Sequence, residues 1–348
     1  MIMWRKKKLL VMFIGMIMII TVSFIQSVYG GSSHTLIGNP KTVHWGYYSG
    51  KIEPALKIDP GDIVTIVSPH GVAAVYEAGG IPPDQISKEL RDINSEVKER
   101  GPGPHILTGP IYINGAAPGD ILEVHIKDVK PTKPYGYNTN WYGMGTLPED
   151  FPFTAWRVPR LNLKNMTSEI MPGVVIPLKP FFGNMGVAPP DVMGKISSAP
   201  PGIQGGNLDI KELVAGTILY LPVHVKGALF SVGDGHAAQG DGEVCLTGIE
   251  VAEMTGTFQF FVRKNKRLVW PRAETPTHFI TVGLNEDLDV AAKMALREMI
   301  NFLNEEKGIS RENAYYLSSV AVDLRVAQLV NGVKGIYAML PKNIFVKK

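Results

Sequence analysis

The sequence predicts a β-rich α+β fold: a β-sandwich- or barrel-like body, with a C-terminal portion in which two helices pack on a sheet. Three observations carry this expectation. The 37 glycines and 26 prolines of the 348-residue chain are scattered rather than periodic, which means many turns and short strands. Pro60-Gly-Asp-Ile-Val-Thr-Ile66, Pro118-Gly-Asp-Ile-Leu-Glu-Val124 and Ala215-Gly-Thr-Ile-Leu-Tyr-Leu221 repeat one theme, a glycine turn feeding an alternating strand, at spacings too uneven for a solenoid. Beyond Asp287 the apolar period changes to that of a helix.

The first thirty residues stand apart. Arg5-Lys-Lys-Lys8 precedes an apolar run from Leu9 to Ile25, and the small residue Gly30 closes a cleavage pattern. Residues 1–30 therefore read as a signal peptide for a secreted or periplasmic protein that leaves no membrane association after cleavage; an uncleaved anchor is the alternative. Removing them takes away four cations and no anions, which turns the formal charge of +3 into −1. The remaining Lys and Arg form no patch or aromatic-interleaved run, which argues against nucleic acid as a partner. The lone Cys245 excludes an intrachain disulfide, and between Val244 and Leu246 it reads as a small apolar residue.

Residues 31–255 form the expected body and 256–348 the α+β portion of the same catalytic unit. In the strand after Pro118, Glu123, His125 and Lys127 share one face, while Leu122, Val124 and Ile126 share the other. The Gly/Pro segment from Phe181 to Asn207 reads as an ordered wall containing Met185 and Val187. A short surface helix fits Ile81 to Arg100. Ala292, Leu296, Ile300 and Leu303 define a helix that stops at Gly308. Ser310 caps a second, with the stripe Leu317, Val320, Leu324 and Ala327, ending at Asn331-Gly332. Phe258–Val262 and Gly335–Met339 are the strands beneath them.

The densest chemistry lies in Gly233-Asp-Gly-His-Ala-Ala-Gln-Gly-Asp-Gly-Glu243, where Asp234, His236, Gln239, Asp241 and Glu243 sit among glycines without one bulky apolar side chain. Such a segment builds no core. Glycine allows close approach of a ligand, and the side chains are of the kinds that bind a divalent metal or move protons. Asp234 and His236 point the same way if the segment is extended. An apolar, strand-like stretch, Val244 to Val251, follows.

This segment resembles the signature of the acetamidase/formamidase family. So do Thr42-Val-His-Trp-Gly46, Gly101-Pro-Gly-Pro-His-Ile-Leu-Thr-Gly-Pro110, Gly183-Asn-Met-Gly-Val-Ala-Pro189, Leu208-Asp-Ile-Lys-Glu-Leu-Val-Ala-Gly216, Pro271-Arg-Ala-Glu-Thr-Pro-Thr-His278 and Leu324-Arg-Val-Ala-Gln-Leu-Val-Asn-Gly332, in the family's order over roughly residues 40–345. The resemblance implies hydrolysis of a small aliphatic amide to carboxylate and ammonia by a homo-oligomer. Leu246 stands where a small residue is expected, and His70 in Ser68-Pro-His-Gly71 has no place in these motifs.

Amide hydrolysis needs a nucleophile, oxyanion stabilisation and a proton for the leaving nitrogen, and a metal-bound water supplies the first two. There is no Gly-x-Ser-x-Gly elbow, which leaves Ser68 and Ser231 as isolated candidate nucleophiles. Asp234, His236 and Glu243 are the candidate metal ligands, with His105 as a distant addition or a substrate contact. This mixed set suits zinc, whereas an all-oxygen set with Asp241 suits calcium in a non-catalytic envelope module. Asp241 and Glu274 are the candidate proton carriers, Glu274 alternatively pairing with Arg272. Gln239 is placed to hold the substrate amide, and Met185 to line its pocket. Glu123 and His125 are a second candidate pair, His278 is an even choice between site and scaffold, and His44, Trp45, Trp141 and Trp156 read as packing or pocket walls.

Overall fold

The structure, a computed structural model, describes residues 31–346; the proposed signal peptide lies outside them. The described residues form two nine-stranded sheets packed face to face. One runs in the spatial order Ser33–Ile37, Ile63–Pro69, Glu253–Arg263, Ile121–Pro131, Ile218–Pro222, Arg272–Glu274, His278–Asn285, Lys334–Pro341, Asp323–Gln328. The other is built around Phe230–His236, flanked by Phe181–Gly186, Ile106–Ile113 and the short strand Glu250–Val251. Between them Phe182, Phe230, Phe258 and Phe260 interlock, with ring centroids 5.2 Å apart for Phe230 and Phe260 and 5.8 Å for Phe182 and Phe258. No helix among the described residues is long and apolar enough to cross a membrane.

The repeated turns have one physical cause. Gly61, Gly119 and Gly216 have φ of +99°, +93° and +89°, conformations that L side chains rarely adopt. In each turn the next residue's N–H closes onto the carbonyl three residues back, at 3.0–3.1 Å. All three turns launch strands of the first sheet, and Leu122, Val124 and Ile126 bury as expected while Lys127 faces solvent. The strand Glu253–Arg263 runs through the expected division at residue 255, so the sheet is continuous across it.

Helix Leu288–Lys307 begins at Asp287, whose carboxylate accepts the Val290 N–H, and ends at Gly308 with φ +67°. It packs on His278–Asn285 and Lys334–Pro341 through Ala291, Ala295, Met299 and Leu303. The second helix is shorter than the apolar stripe predicts. It spans Arg311–Ala321, with Ser310 as its N-cap, and Leu324 and Ala327 fall in the strand Asp323–Gln328. Val322 and Val326 disfavour helix, Asn331-Gly332 is a hairpin turn with Gly332 at φ +76°, and pairing with Lys334–Pro341 completes the sheet edge. The expected strand after Glu243 is likewise a run of turns in which only Glu250–Val251 is extended, and the surface helix occupies Lys88–Glu96.

Gly283 marks where the long helix meets the sheet: a Cβ there would stand 2.0 Å from Ala291 O and 2.4 Å from Ala295 N. Gly283→Ala must therefore lift the helix, and we expect it to cost about 1–3 kcal/mol, the usual range for overpacking. A drop in thermal midpoint relative to wild type measures this, and an unchanged midpoint would refute the contact.

Candidate functional site

A cavity of about 490 Å³ opens where the loops of the second sheet converge. Its floor gathers side chains from distant parts of the chain. His70 follows the strand Ile63–Pro69, His105 precedes Ile106–Ile113, Asp234 and His236 end Phe230–His236, and Glu250 lies in the strand paired to His236. Asp209 and Glu243 come in on loops. All seven are buried. Asp209, Asp234 and Glu243 adopt φ of +50°, +61° and +47°, a strained region for residues with a Cβ, and such outliers concentrate at functional sites.

Two sets of three bring their ligand atoms within 4.8 Å of one another: His70, Asp234 and Glu250, and Asp209, His236 and Glu243. The sets adjoin, since His236 Nε2 lies 3.4 Å from Asp234 Oδ2 and 2.9 Å from Glu250 Oε2. Beyond that His236–Glu250 contact, Asp209 Oδ1 and His70 Nδ1 are buried without a hydrogen-bond partner. Buried polar atoms left unmatched in one place are what a cation would satisfy. Gly183 keeps the space between them open, because a Cβ there would come within 2.4 Å of Asp209 Oδ1 and 2.7 Å of Asp234 Oδ2. The residues present thus fit a divalent ion.

The electrostatics agree. Burial, reinforced by Asp234, pushes Glu250 up to about 8 and Asp209 up to about 7. Burial and the Asp209 carboxylate push Glu243 well up. For Asp234 burial opposes ionisation, but His105 and His236 outweigh it and hold this carboxyl well below the usual range. Burial likewise disfavours charge on His236, and Glu250 and Asp234 outweigh it, so its pKa rises. A proton at His236 Nε2 and a cation at the same atom answer one electrostatic demand. Burial lowers His70 to about 4 and keeps its imidazole neutral at pH 7.

Gln239 explains which His236 nitrogen faces the cavity. Its amide donates to Asp209 O at 2.9 Å and Ala327 O at 3.1 Å, so its oxygen accepts the His236 Nδ1 proton at 2.7 Å. That leaves Nε2 for a ligand, and Gln239 itself lies behind His236, outside the cavity lining. His105 Nδ1 accepts from the Asn184 amide at 3.2 Å, and its Nε2 lies 3.6 Å from Asp234 Oδ2. His70 Nε2 meets the Tyr137 hydroxyl at 3.0 Å.

The cavity thus joins Asp234, His236, Glu243 and His105 from the sequence expectation and adds His70, Asp209 and Glu250. Other candidates lie elsewhere. Asp241 sits outside the cavity, where Arg325 at 2.8 Å and Lys211 at 3.0 Å hold its carboxyl below the usual range despite partial burial; it completes no all-oxygen set. Glu274 is on the first sheet, paired with Lys342 at 2.6 Å and accepting from Tyr220, not from Arg272. Met185 is packed in the core between the sheets. Glu123 and His125 pair with each other at 3.0 Å on that first sheet, and His278 bonds Thr277 at 2.8 Å. Ser231 contacts His44 Nε2 at 2.8 Å and Ser68 receives a hydrogen bond from Thr108, but all are buried away from the cavity. Trp141 and Trp156 are cavity walls, as expected.

Residues 39–199 and 194–347 match the model of the Acetamidase/Formamidase family. A formamidase of Methylophilus methylotrophus is 28% identical over 291 residues, 62% of this chain and 70% of that protein. An acetamidase of Mycolicibacterium smegmatis is 28% identical over 216 residues, 45% of this chain and 53% of that protein. The chain spans 50–70% of the length of the curated relatives it matches. The crystal structure of an acetamidase from Bacillus halodurans superposes with a TM-score of 0.75 at 32% identity, covering 89% of this chain and 98% of that one.

The geometry separates Gln239 from Asp241. Gln239→Ala frees the imidazole to turn, and we expect zinc affinity to fall roughly 10- to 100-fold, the range for losing a partner that orients a ligand. Asp241→Asn should leave zinc affinity unchanged. Equal zinc titrations of the two variants would overturn the placement.

Proposed function

The chain belongs to the acetamidase/formamidase family, and from that membership we propose that the cavity hydrolyses a small aliphatic amide of the formamide or acetamide kind to carboxylate and ammonia with a bound divalent ion. The observation that carries the reading is the pair of adjoining buried sets, His70, Asp234 and Glu250 with Asp209, His236 and Glu243, lining one cavity. The donors are imidazole nitrogen and carboxylate oxygen, a mixture that suits zinc or another first-row ion better than calcium. Such an ion would acidify a water and polarise the amide carbonyl.

The chain's own groups supply the rest. Asp234, held ionised by its histidine neighbours, contributes a fixed negative charge. Burial raises the Asp209, Glu243 and Glu250 carboxyls, so whichever of them the ion leaves free can hold a proton and release it to the leaving nitrogen, while those that bind the ion would be ionised. His105 and Tyr137 crowd solvent from Asp234 and His70. The export pattern of residues 1–30 supports placement outside the cytoplasm, and the family resemblance supports self-association; intact mass of the exported protein and light scattering test each.

The deciding experiment is ammonia release from formamide and acetamide. Activity should disappear on treatment with a strong chelator and return with zinc. Glu250→Gln should lower kcat by about 100-fold or more, the scale of positioned acid–base groups. Protein that binds zinc yet releases no ammonia from any amide would refute the reading.

A further inference from the structure

The cavity is far larger than its proposed reaction demands. Pockets of roughly 300–1,000 Å³ hold drug-sized ligands, and this one measures about 490 Å³. Formamide or acetamide would occupy the floor and leave the rest to water. The lining is divided accordingly: every carboxylate and imidazole is buried and makes the floor, whereas the more open throat is made by Tyr137, Trp141, Met144, Trp156 and Leu246.

The aromatic rings form an unbroken series from floor to rim. His70 stacks on Tyr137 with centroids 5.9 Å apart and planes 13° apart. Tyr137 meets Trp156 at 5.3 Å, and Trp156 meets Trp141 edge-on at 5.6 Å. Trp141 and Trp156 nevertheless remain 43% and 38% exposed. Large aromatic side chains left half-open at the mouth of a polar site offer faces and edges for a ligand ring. No Lys or Arg among the described residues lines the cavity, so a negatively charged acyl group would find no cationic side chain beside the apolar lining.

We infer that the substrates of this site are primary amides whose acyl carbon bears an uncharged apolar group, an aryl ring on a short linker, seated against the Trp141–Trp156 pair and Leu246. This rests on the amidase reading above. The chemistry is unchanged: one water oxygen bonds to the acyl carbon, the C–N bond breaks, and both protons of that water end on the departing nitrogen, giving the arylalkyl carboxylate and ammonium. Leu246, at φ +105°, comes from the same loop as Glu243 and presses an apolar side chain into the space beside the floor.

The test compares acetamide, butyramide, phenylacetamide and succinamate as substrates of the zinc-loaded full-length protein. We expect kcat/KM to rise roughly tenfold or more from acetamide to phenylacetamide, since each apolar group seated in a fitted pocket contributes on that scale, and succinamate to be the poorest. Trp141→Ala and Trp156→Ala should each lower the phenylacetamide-to-acetamide ratio through KM. Phenylacetate should perturb the intrinsic tryptophan fluorescence of the wild type saturably, and not that of Trp141→Ala. Turnover of acetamide with no preference for phenylacetamide, or a ratio insensitive to both tryptophans, overturns this inference and leaves the amidase reading standing. So does a change in oligomeric state in the tryptophan variants with an unaltered ratio, which would assign the rings to an interface. No turnover of any amide overturns both.

Discussion

The structure is organised around an electrostatic problem: four carboxyl groups and three imidazoles buried in one cavity. Several kcal/mol oppose the burial of each unpaired ion, and like charges this close cannot all be ionised. The ways out are visible in the pKa pattern. Asp234 keeps its charge beside His105 and His236, its three carboxyl neighbours move upward, and His70 stays neutral. What remains is a set of buried imidazole and carboxylate atoms of the kind that a cation would satisfy.

A β-sandwich is a suitable scaffold for this arrangement because paired strands fix both ends of a long reach. Asp234 and His236 are held by pairing of their strand with Phe181–Gly186 on one side and Ile106–Ile113 on the other, and the register sets His236 directly opposite Glu250. Three of the strained residues are carboxylates that turn inward, Asp209, Asp234 and Glu243. Each such conformation costs on the order of 1–3 kcal/mol, which the interlocked Phe182, Phe230, Phe258 and Phe260 core can bear.

Much of this was legible in the sequence. The three glycine turns, the capped helix from Asp287 to Gly308 and the glycine-embedded Asp234, His236 and Glu243 all announce themselves by local rules. What failed was tertiary in origin. Leu324 and Ala327 fit a helical stripe, but strand pairing overrode that period, and the Asn331-Gly332 hairpin signal was the cue. Asp241 carries the same local signature as Asp234, and only the positions of Arg325 and Lys211 decide that it faces out. His70 and Asp209 carry no local mark of their role. Glu250 does, as a carboxylate between Ile249 and Val251 in an apolar run, where an unpaired charge would be costly without a partner.

The division of labour between strands and loops follows from the same constraint. Most floor residues sit on or beside paired strands, where a displacement would separate charges that balance one another. The throat is assembled from strand ends and loops around residues 137–156 and 244–247, whose rings meet through apolar edges and can shift without disturbing that balance. The titratable groups are therefore tied to the sandwich, while the apolar lining is tied to its loops and strand ends. Leu246 shows the distinction within one loop: three residues from Glu243, it shapes the space above the floor while contributing nothing to its charge.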